Sequence, residues 1–191
     1  MWHYNKKGVL AMKNALLVID YTVDFVASDG KLTCGEPGQR LAPYITHLME
    51  KFIKADDTIF IINDLHEAAD SFHPEHALFP PHNIRGTAGR HLYGTTAEVL
   101  MKHQDVIIQL DKTRYSAFCG TPLFTKLRER QIETLHIVGV CTDICVLHTC
   151  IDAYNLGYDV VIHERGVASF NEEAHHFALA HIKNSLGFTI L

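Results

Sequence analysis

Apolar, β-branched segments alternate with helical segments along this chain. Six strands are predicted over residues 15–19, 58–63, 106–110, 135–140, 159–162 and 188–191. Helical periodicity lies between most of them, over residues 40–54, 97–103, 121–130, 144–155 and 172–185. Strands that are rich in Val and Ile throughout, and separated by helices, are typical of a parallel sheet that is covered on both faces. The sequence therefore predicts an α/β fold: a three-layer, doubly wound arrangement of a mostly parallel six-stranded sheet flanked by helices.

The length of the chain favours one domain. Its 191 residues are enough for one sizeable hydrophobic core and too few for two comfortable domains. We expect a short N-terminal extension over residues 1–13, with Met12 as an alternative start, and a single domain over residues 14–191. The N-terminal residues have no apolar core of signal-peptide length, and no stretch approaches the roughly 20 apolar residues of a membrane span.

Charge and cysteine content restrict the partners and the compartment. The formal net charge is −5 and there is no run of Lys or Arg, which argues against nucleic acid and anionic membranes as partners. A small neutral or cationic ligand remains open. Five cysteines, an odd number without the spacing of a disulfide scaffold, favour a reducing compartment, and we expect a cytoplasmic protein.

Chemically active side chains follow four of the predicted strands. Asp20 follows the first strand, Asp64 and His66 the second, Asp111 and Lys112 the third, and Cys141 and Cys145 the fourth. Ligands in open α/β sheets bind beyond the carboxyl ends of the strands. The sequence therefore predicts one functional site at this edge of the sheet.

Cys145 is the candidate nucleophile, because the strand over residues 135–140 runs into a turn that places this thiol in the first turn of a helix. Backbone amides and the helix dipole at such a position favour the thiolate, and can lower the pKa from about 8.5. The alternative is a small buried apolar residue. Taken singly, Asp20 could be a cap and Lys112 a surface charge, but a carboxylate base, a cation and a thiol at one edge together favour catalysis.

These residue types are suited to hydrolysis of an amide. Cys145 would attack the carbonyl after giving its proton to Asp20, and Lys112 would stabilise the resulting ion pair. Asp20 would return the proton to the departing amine and then activate water against the thioester. The backbone N–H groups of Cys141 and Cys145 are the candidate donors to the oxyanion, each typically worth about 3–4 kcal/mol.

A second cluster predicts a metal site. Asp64 and His66 follow a strand end, His82 follows the rigid Pro-Pro pair at 80–81, and Glu75 lies between them. Carboxylate and imidazole ligands without thiolates suit Zn, Mn or Fe. The alternative is a histidine-rich polar loop, since the chain contains 14 His, and His73 and His76 are interpreted as bystanders.

Aromatic residues near the strand ends complete a predicted pocket. Phe25, Phe79 and Tyr115 could enclose a flat ring, although core packing is the ordinary role of each. Phe79 belongs to the long irregular segment 64–94, whose aromatic and apolar residues, among them Phe72 and Leu78, predict a packed and functional loop.

The motifs in their order resemble those of a known family. They are Val18-Ile19-Asp20 with Asp24-Phe25, then Asp64-Leu65-His66, then Lys112 with Tyr115-Ser116-Ala117-Phe118, then Gly139-Val140-Cys141-Thr142-Asp143-Ile144-Cys145-Val146. From Asn14 onward the chain is similar to the isochorismatase-like cysteine hydrolases, and within them to the nicotinamidase/pyrazinamidase group. The resemblance implies a six-stranded parallel α/β fold, an Asp-Lys-Cys triad, a cis peptide before the oxyanion hole and a homo-oligomer. It also implies one divalent metal ion, with zinc foremost, held by Asp64, His66, Glu75 and His82.

The resemblance implies hydrolysis of nicotinamide to nicotinate and ammonia through a thioester, as a step of NAD salvage, and acceptance of pyrazinamide. A metal-bound pyridine nitrogen would hold the ring while its carboxamide faces Cys145. Two alternatives remain: an amidohydrolase for N-carbamoylsarcosine or ureidoacrylate-like substrates, and a non-catalytic metal-binding regulatory protein. Cys141 is expected to contribute its amide, although a redox pair with Cys145 is another interpretation, and Cys34, Cys119 and Cys150 are expected to be buried.

Overall fold

The computed structural model describes residues 13–191. Its strands are β1 (Lys13–Ile19), β2 (Thr58–Asp64), β3 (Ile107–Lys112), β4 (Ile132–Val140), β5 (Asp159–Ala168) and β6 (Thr189–Ile190). They form one sheet in the order β3-β2-β1-β4-β5-β6, and every neighbouring pair is parallel. The predicted N-terminal extension lies outside the described residues except for Lys13, which begins β1.

Helices cover both faces of the sheet. They are α1 (Val23–Val26), α2 (Gly35–Gln39), α3 (Ala42–Lys54), α4 (Thr95–Lys102), α5 (Leu123–Glu129), α6 (Leu147–Asn155) and α7 (Glu172–Asn184). Alternate residues of β1 enter two different cores, since Leu17 packs with residues of α5, α6 and α7, whereas Leu16 packs with residues of α3 and α4. The predicted three-layer α/β fold is confirmed, with all six strands parallel.

Gly139 brings the end of β4 against the end of β1. Its φ is +123°, and a Cβ at this position would lie 1.9 Å from the carbonyl oxygen of Ile19. No other residue type fits this conformation and this space. The close approach matters because Asp20 directly follows Ile19, and the turn that carries Cys145 directly follows β4.

The structure departs from the sequence prediction after β4. A π-helical turn (Thr142–Val146) precedes α6, which begins only at Leu147. Cys145 therefore lies in the first turn of a helical segment, as predicted, but this turn is π-helical and not α-helical. The amide of Val146 bonds to the carbonyl of Cys141, five residues earlier, at 3.2 Å. Such widened turns are frequent at functional sites.

The long segment 64–94 is organised by its backbone. It contains two 3-10 turns (Pro74–Ala77 and Ala88–Arg90), and isolated bridges join His66 to Ile84 and Thr22 to Leu92. The prediction that its apolar residues pack is wrong for Phe72 and Leu78, which are 95% and 64% exposed. Within residues 13–191, no helix has the length and apolar character that crossing a membrane would require.

Candidate active site

Three reactive side chains from three strand ends meet in the interior of the protein. Asp20 follows β1 with a left-handed φ of 54°, Lys112 ends β3, and Cys145 lies in the turn after β4. Lys112 Nζ is 2.7 Å from Asp20 Oδ2 and 3.6 Å from Cys145 Sγ. All three residues are buried, with exposures of 0%, 1% and 6% for Asp20, Lys112 and Cys145. The structure thus brings together the residues that the sequence nominates as base, cation and nucleophile.

Burial sets the protonation of this triad at rest. Burial raises the pKa of Asp20 to about 6, although the Lys112 charge opposes the shift. Burial alone would lower the pKa of Lys112, but the nearby carboxylates of Asp20 and Asp64 outweigh it and hold that pKa well above its usual value. Burial and the nearby Asp20 charge raise the pKa of Cys145 well above its ordinary value. The expectation that the helix start lowers this pKa is therefore wrong, and the resting thiol needs a base to remove its proton.

The turn after β4 presents the predicted oxyanion donors. The peptide bond between Val140 and Cys141 is cis. The carbonyl of Cys141 accepts hydrogen bonds from the amides of Ile144 and Val146 at 3.1 and 3.2 Å. The backbone amides of Cys141 and Cys145 belong to this turn, and their role as oxyanion donors stays a prediction.

The four predicted metal ligands also converge. One donor atom each from Asp64, His66, Glu75 and His82 lies within 4.8 Å of all the others. His66 Nε2 is 2.6 Å from Asp64 Oδ2, and His82 Nε2 is 3.5 Å from the same oxygen and 3.6 Å from Glu75 Oε2. Asp64, Glu75 and His82 are buried, and the side chain of His66 is 10% exposed.

The donor set fits a divalent metal ion of borderline softness, because two carboxylates and two imidazoles face one point. His82 Nδ1 donates to the carbonyl of Pro80 at 2.8 Å, which leaves Nε2 as the ligating atom. That Nε2 is buried and has no hydrogen-bond partner among the described residues. Burial alone would lower the pKa of His82, yet Asp64 and Glu75 outweigh it and raise this pKa to about 10. The site therefore attracts positive charge.

The two clusters share their central residues. Lys112 Nζ lies 3.5 Å from Asp64 Oδ1, and Asp20 Oδ1 accepts a hydrogen bond from the Asp64 amide at 2.7 Å. Asp64 thus contacts Asp20 and Lys112 on one side and two of the other candidate metal ligands on the other. Lys112 contacts both the Cys145 thiol and Asp64, which is one of the four candidate metal ligands.

The three predicted ring-binding aromatics lie around these clusters. The ring centroids of Phe25 and Phe79 are 5.2 and 6.3 Å from that of His82, and Tyr115 packs at 5.2 Å from His148. Burial raises the pKa of Tyr115, and the negative charges of Glu75, Cys145 and Asp64 raise it further. Their role in binding substrate stays a prediction.

The remaining cysteines differ in part from expectation. Cys34 Sγ and Cys141 Sγ are 3.1 Å apart and buried, so the thiol that contacts Cys141 comes from residue 34, which the sequence left without a partner. Cys150 is buried as expected, whereas the prediction of burial is wrong for Cys119, which is exposed. Among the bystander histidines, both nitrogens of His73 are bonded within the protein, to the Thr113 carbonyl at 2.7 Å and the Glu75 amide at 3.2 Å.

Two supporting residues were missed by the sequence interpretation. Arg90 Nε donates to the carbonyl of Asp64 at 2.9 Å, and its Nη2 pairs with the half-exposed carboxylate of Asp111. Thr149 Oγ1 donates to the carbonyl of Cys145 at 2.7 Å. The four-residue spacing of a threonine after Cys145 is a signal that could have found this bond, whereas nothing local to Arg90 indicates its contact.

Comparison with known proteins identifies similar sequences and structures. Residues 14–191 match the model of the isochorismatase domain. A solved nicotinamidase/pyrazinamidase from Bacillus subtilis is 54% identical, with a TM-score of 0.92 over 94% of this chain and 99% of that chain. A pyrazinamidase/nicotinamidase from Streptococcus mutans is 51% identical, with a TM-score of 0.92 over 94% of this chain and 100% of that chain.

A more distant structure contains a metal. The pyrazinamidase of Pyrococcus horikoshii, solved in complex with zinc, is 26% identical to this chain. Its TM-score is 0.82, and the match covers 94% of this chain and 98% of that chain.

Proposed function

Because the chain belongs to the isochorismatase family, we propose that it is a cysteine amidohydrolase that converts nicotinamide to nicotinate and ammonia. This reaction returns nicotinamide toward NAD, and pyrazinamide would be a second substrate. The observation that carries the proposal is the contact of Lys112 Nζ with Asp20, Cys145 and Asp64, at 2.7, 3.6 and 3.5 Å. Lys112 thereby connects the candidate nucleophile, Cys145, to Asp64 of the candidate metal site. The similar nicotinamidase/pyrazinamidase structures support the same substrate.

The first half-reaction forms a thioester. Asp20 accepts the proton of the Cys145 thiol, and Lys112 stabilises the thiolate and carboxylate charges in turn. The Cys145 sulfur attacks the carboxamide carbon, and the backbone amides of Cys141 and Cys145 donate to the oxyanion. Asp20 then gives its proton to the departing nitrogen. The C–N bond breaks, ammonia leaves, and the acyl group remains bound to sulfur.

The second half-reaction restores the enzyme. Asp20, now a carboxylate again, removes a proton from water, which attacks the thioester carbon. The C–S bond breaks, nicotinate leaves, and the proton returns to the Cys145 sulfur. The reaction thus consumes one water and one amide and releases one acid and one ammonia. Lys112 remains charged throughout, because Asp64 and whichever of Asp20 and Cys145 is ionised hold its pKa high.

We propose that one divalent ion, with zinc foremost and Mn or Fe as alternatives, is held by Asp64, His66, Glu75 and His82. When bound, the ion supplies a Lewis-acidic partner for the pyridine nitrogen and so orients the ring. The zinc complex of the similar Pyrococcus horikoshii pyrazinamidase supports this choice. Phe25, Phe79 and Tyr115 are proposed to contact the faces and edge of the ring.

Ammonia release from nicotinamide by the purified protein tests the proposal. The wild type should release ammonia, chelation should reduce the rate, and added Zn²⁺ or Mn²⁺ should restore it. Cys145→Ala should abolish turnover, while Cys119→Ala, at an exposed cysteine, should match the wild type. N-carbamoylsarcosine and ureidoacrylate are the matched competitor substrates.

Each result has a different consequence. Ammonia release from a competitor but not from nicotinamide, with metal supplied, would contradict the substrate. Turnover by Cys145→Ala would contradict the covalent mechanism and leave the substrate assignment standing.

Location and assembly are further parts of the proposal. A cytoplasmic location is supported by the odd number of cysteines without disulfide spacing. A homo-oligomer is supported by large exposed apolar side chains, such as Phe170 and Phe177, which are 49% and 63% exposed. Light scattering on the protein as it elutes from a size-exclusion column would measure its oligomeric state. A monomer at micromolar concentration would contradict the proposed homo-oligomer.

A further inference from the structure

Asp24 is a buried acidic residue outside the triad and the ligand set. It lies in α1 and is 7% exposed. Its hydrogen-bond donors among the described residues are backbone amides: Asn83 N lies 2.7 Å from Oδ2, and Lys31 N lies 3.4 Å from Oδ1. A carboxylate is removed from water at considerable cost unless donors replace the water. The position of the Asp24 carboxylate therefore depends on these amides, and the positions of the amides depend on the carboxylate.

The first of these amides belongs to the residue that follows a metal ligand. Asn83 directly follows His82, is fully buried, and adopts a left-handed φ of 45°. Its carbonyl oxygen accepts a hydrogen bond from the amide of His66 at 3.1 Å. The backbone of Asn83 is thus held by the Asp24 carboxylate at its nitrogen, and it holds His66 by its oxygen. Two of the four candidate ligands are joined through this one residue.

Asp24 also packs against the turn that supports a third ligand. A Cβ built on Gly89 would lie 2.1 Å from Asp24 Oδ2, so the carboxylate rests directly on the glycine backbone. The next residue, Arg90, donates to the carbonyl of Asp64 at 2.9 Å. The carboxylate therefore touches both segments that fix the backbones of Asp64, His66 and His82.

We propose that Asp24 is a positioning residue for the metal site, setting the spacing of His66 and His82 through Asn83 and that of Asp64 through the Gly89 turn. The inference rests on the metal site of the proposed function. Groups that orient metal ligands from outside the coordination sphere typically change metal affinity by about 10–100-fold when they are removed. Asp24 would orient the metal ligands through its contacts with the backbone of Asn83 and Gly89. It does not touch the reacting atoms.

Zinc affinity, measured by competition with a chromophoric chelator, tests this role directly. Asp24→Asn offers one acceptor oxygen in place of two, and we expect its Zn²⁺ affinity to fall by about 10–100-fold. Gly89→Ala displaces the same carboxylate without changing its charge and should weaken zinc binding in the same direction. Asp29→Asn, an exposed carboxylate just after α1, is the matched control and should bind zinc as the wild type does.

Two further readouts separate positioning from general support of the fold. Nicotinamide hydrolysis by Asp24→Asn should recover as Zn²⁺ is raised, with little change in kcat at saturating metal. Lower thermal stability of both metal-free variants together with unchanged zinc affinity would overturn the inference and leave the proposed function intact. A wild-type chain that binds no divalent ion would overturn the metal site and this inference together.

Discussion

His163 on β5 is a buried imidazole whose protonation the fold opposes. Its Nδ1 is hydrogen-bonded to the hydroxyl of Tyr44 and its Nε2 to Nδ1 of His136, both at 2.9 Å. Burial lowers the pKa of His163 to about 4, with His136 and Lys51 adding to the shift. Arg165 lies over the ring of Tyr44, 5.0 Å from its centroid. Lys51, on α3, thus opposes a positive charge on this imidazole.

The sign of the pH effect follows from where the proton binds. The unfolded chain takes up a proton at His163 below its ordinary pKa of about 6.5, whereas the native chain does so only below about 4. The native state therefore binds fewer protons in this window, and stability is lost as the pH falls through it. Between pH 8 and pH 5 this one residue should cost about 2 kcal/mol of unfolding free energy. The lowered pKa of His136 acts in the same direction.

Urea unfolding followed by circular dichroism at pH 8, 6.5 and 5 measures the effect. Over this range the free energy of unfolding of His163→Gln should fall by about 2 kcal/mol less than that of the wild type, because glutamine does not titrate. His176→Gln, whose native side chain is 67% exposed, is the control and should keep the pH slope of the wild type. An equal pH slope for His163→Gln and the wild type would show that exclusion of a proton from His163 does not contribute to the acid sensitivity of the fold.

Three further outcomes are expected. Glu75→Gln should weaken Zn²⁺ binding by at least the roughly tenfold that is typical for groups outside the coordination sphere. His76→Gln changes an exposed neighbour and should bind zinc as the wild type does. Equal zinc affinities of Glu75→Gln and the wild type, measured by chelator competition, would remove Glu75 from the ligand set. Gly139→Ala should lower the free energy of unfolding by about 3 kcal/mol or more, because φ is +123° and a Cβ meets backbone at 1.9 Å; a stability within experimental error of wild type in urea would contradict this. Cys150→Ser should cost about 1–3 kcal/mol by burying a hydroxyl, and Cys119→Ser, at an exposed position, should be neutral in the same assay.

The fold and the edge that carries the site were predictable from local patterns. A strand that is apolar throughout must be covered on both faces, so the alternation with helices already indicates a parallel, three-layer sheet. Parallel strands end at the same edge, and this rule alone groups Asp20, Asp64, Lys112 and the turn of Cys145. The family membership inferred from the same motifs is confirmed by the domain match over residues 14–191.

Other features depend on segments far apart in the sequence. Cys34 and Cys141 are separated by 107 positions, yet their sulfurs lie 3.1 Å apart. The carboxylate of Asp24 meets the amide of Asn83 across 59 positions. No periodicity links such pairs, because the path of the loop between them sets the contact.

Local sequence patterns indicate which side chains lie at the carboxyl edge of the sheet, because strand ends are local features and parallel pairing brings them to one edge. The protonation states of these side chains, by contrast, are set by their surroundings in the folded protein. Burial raises the pKa of the Cys145 thiol, although a helix start suggested the opposite, and burial together with Lys112 sets the base at Asp20. The free energy of ionising a side chain depends on every neighbour within several ångströms and on the exclusion of water. Neither can be read from the order of the residues.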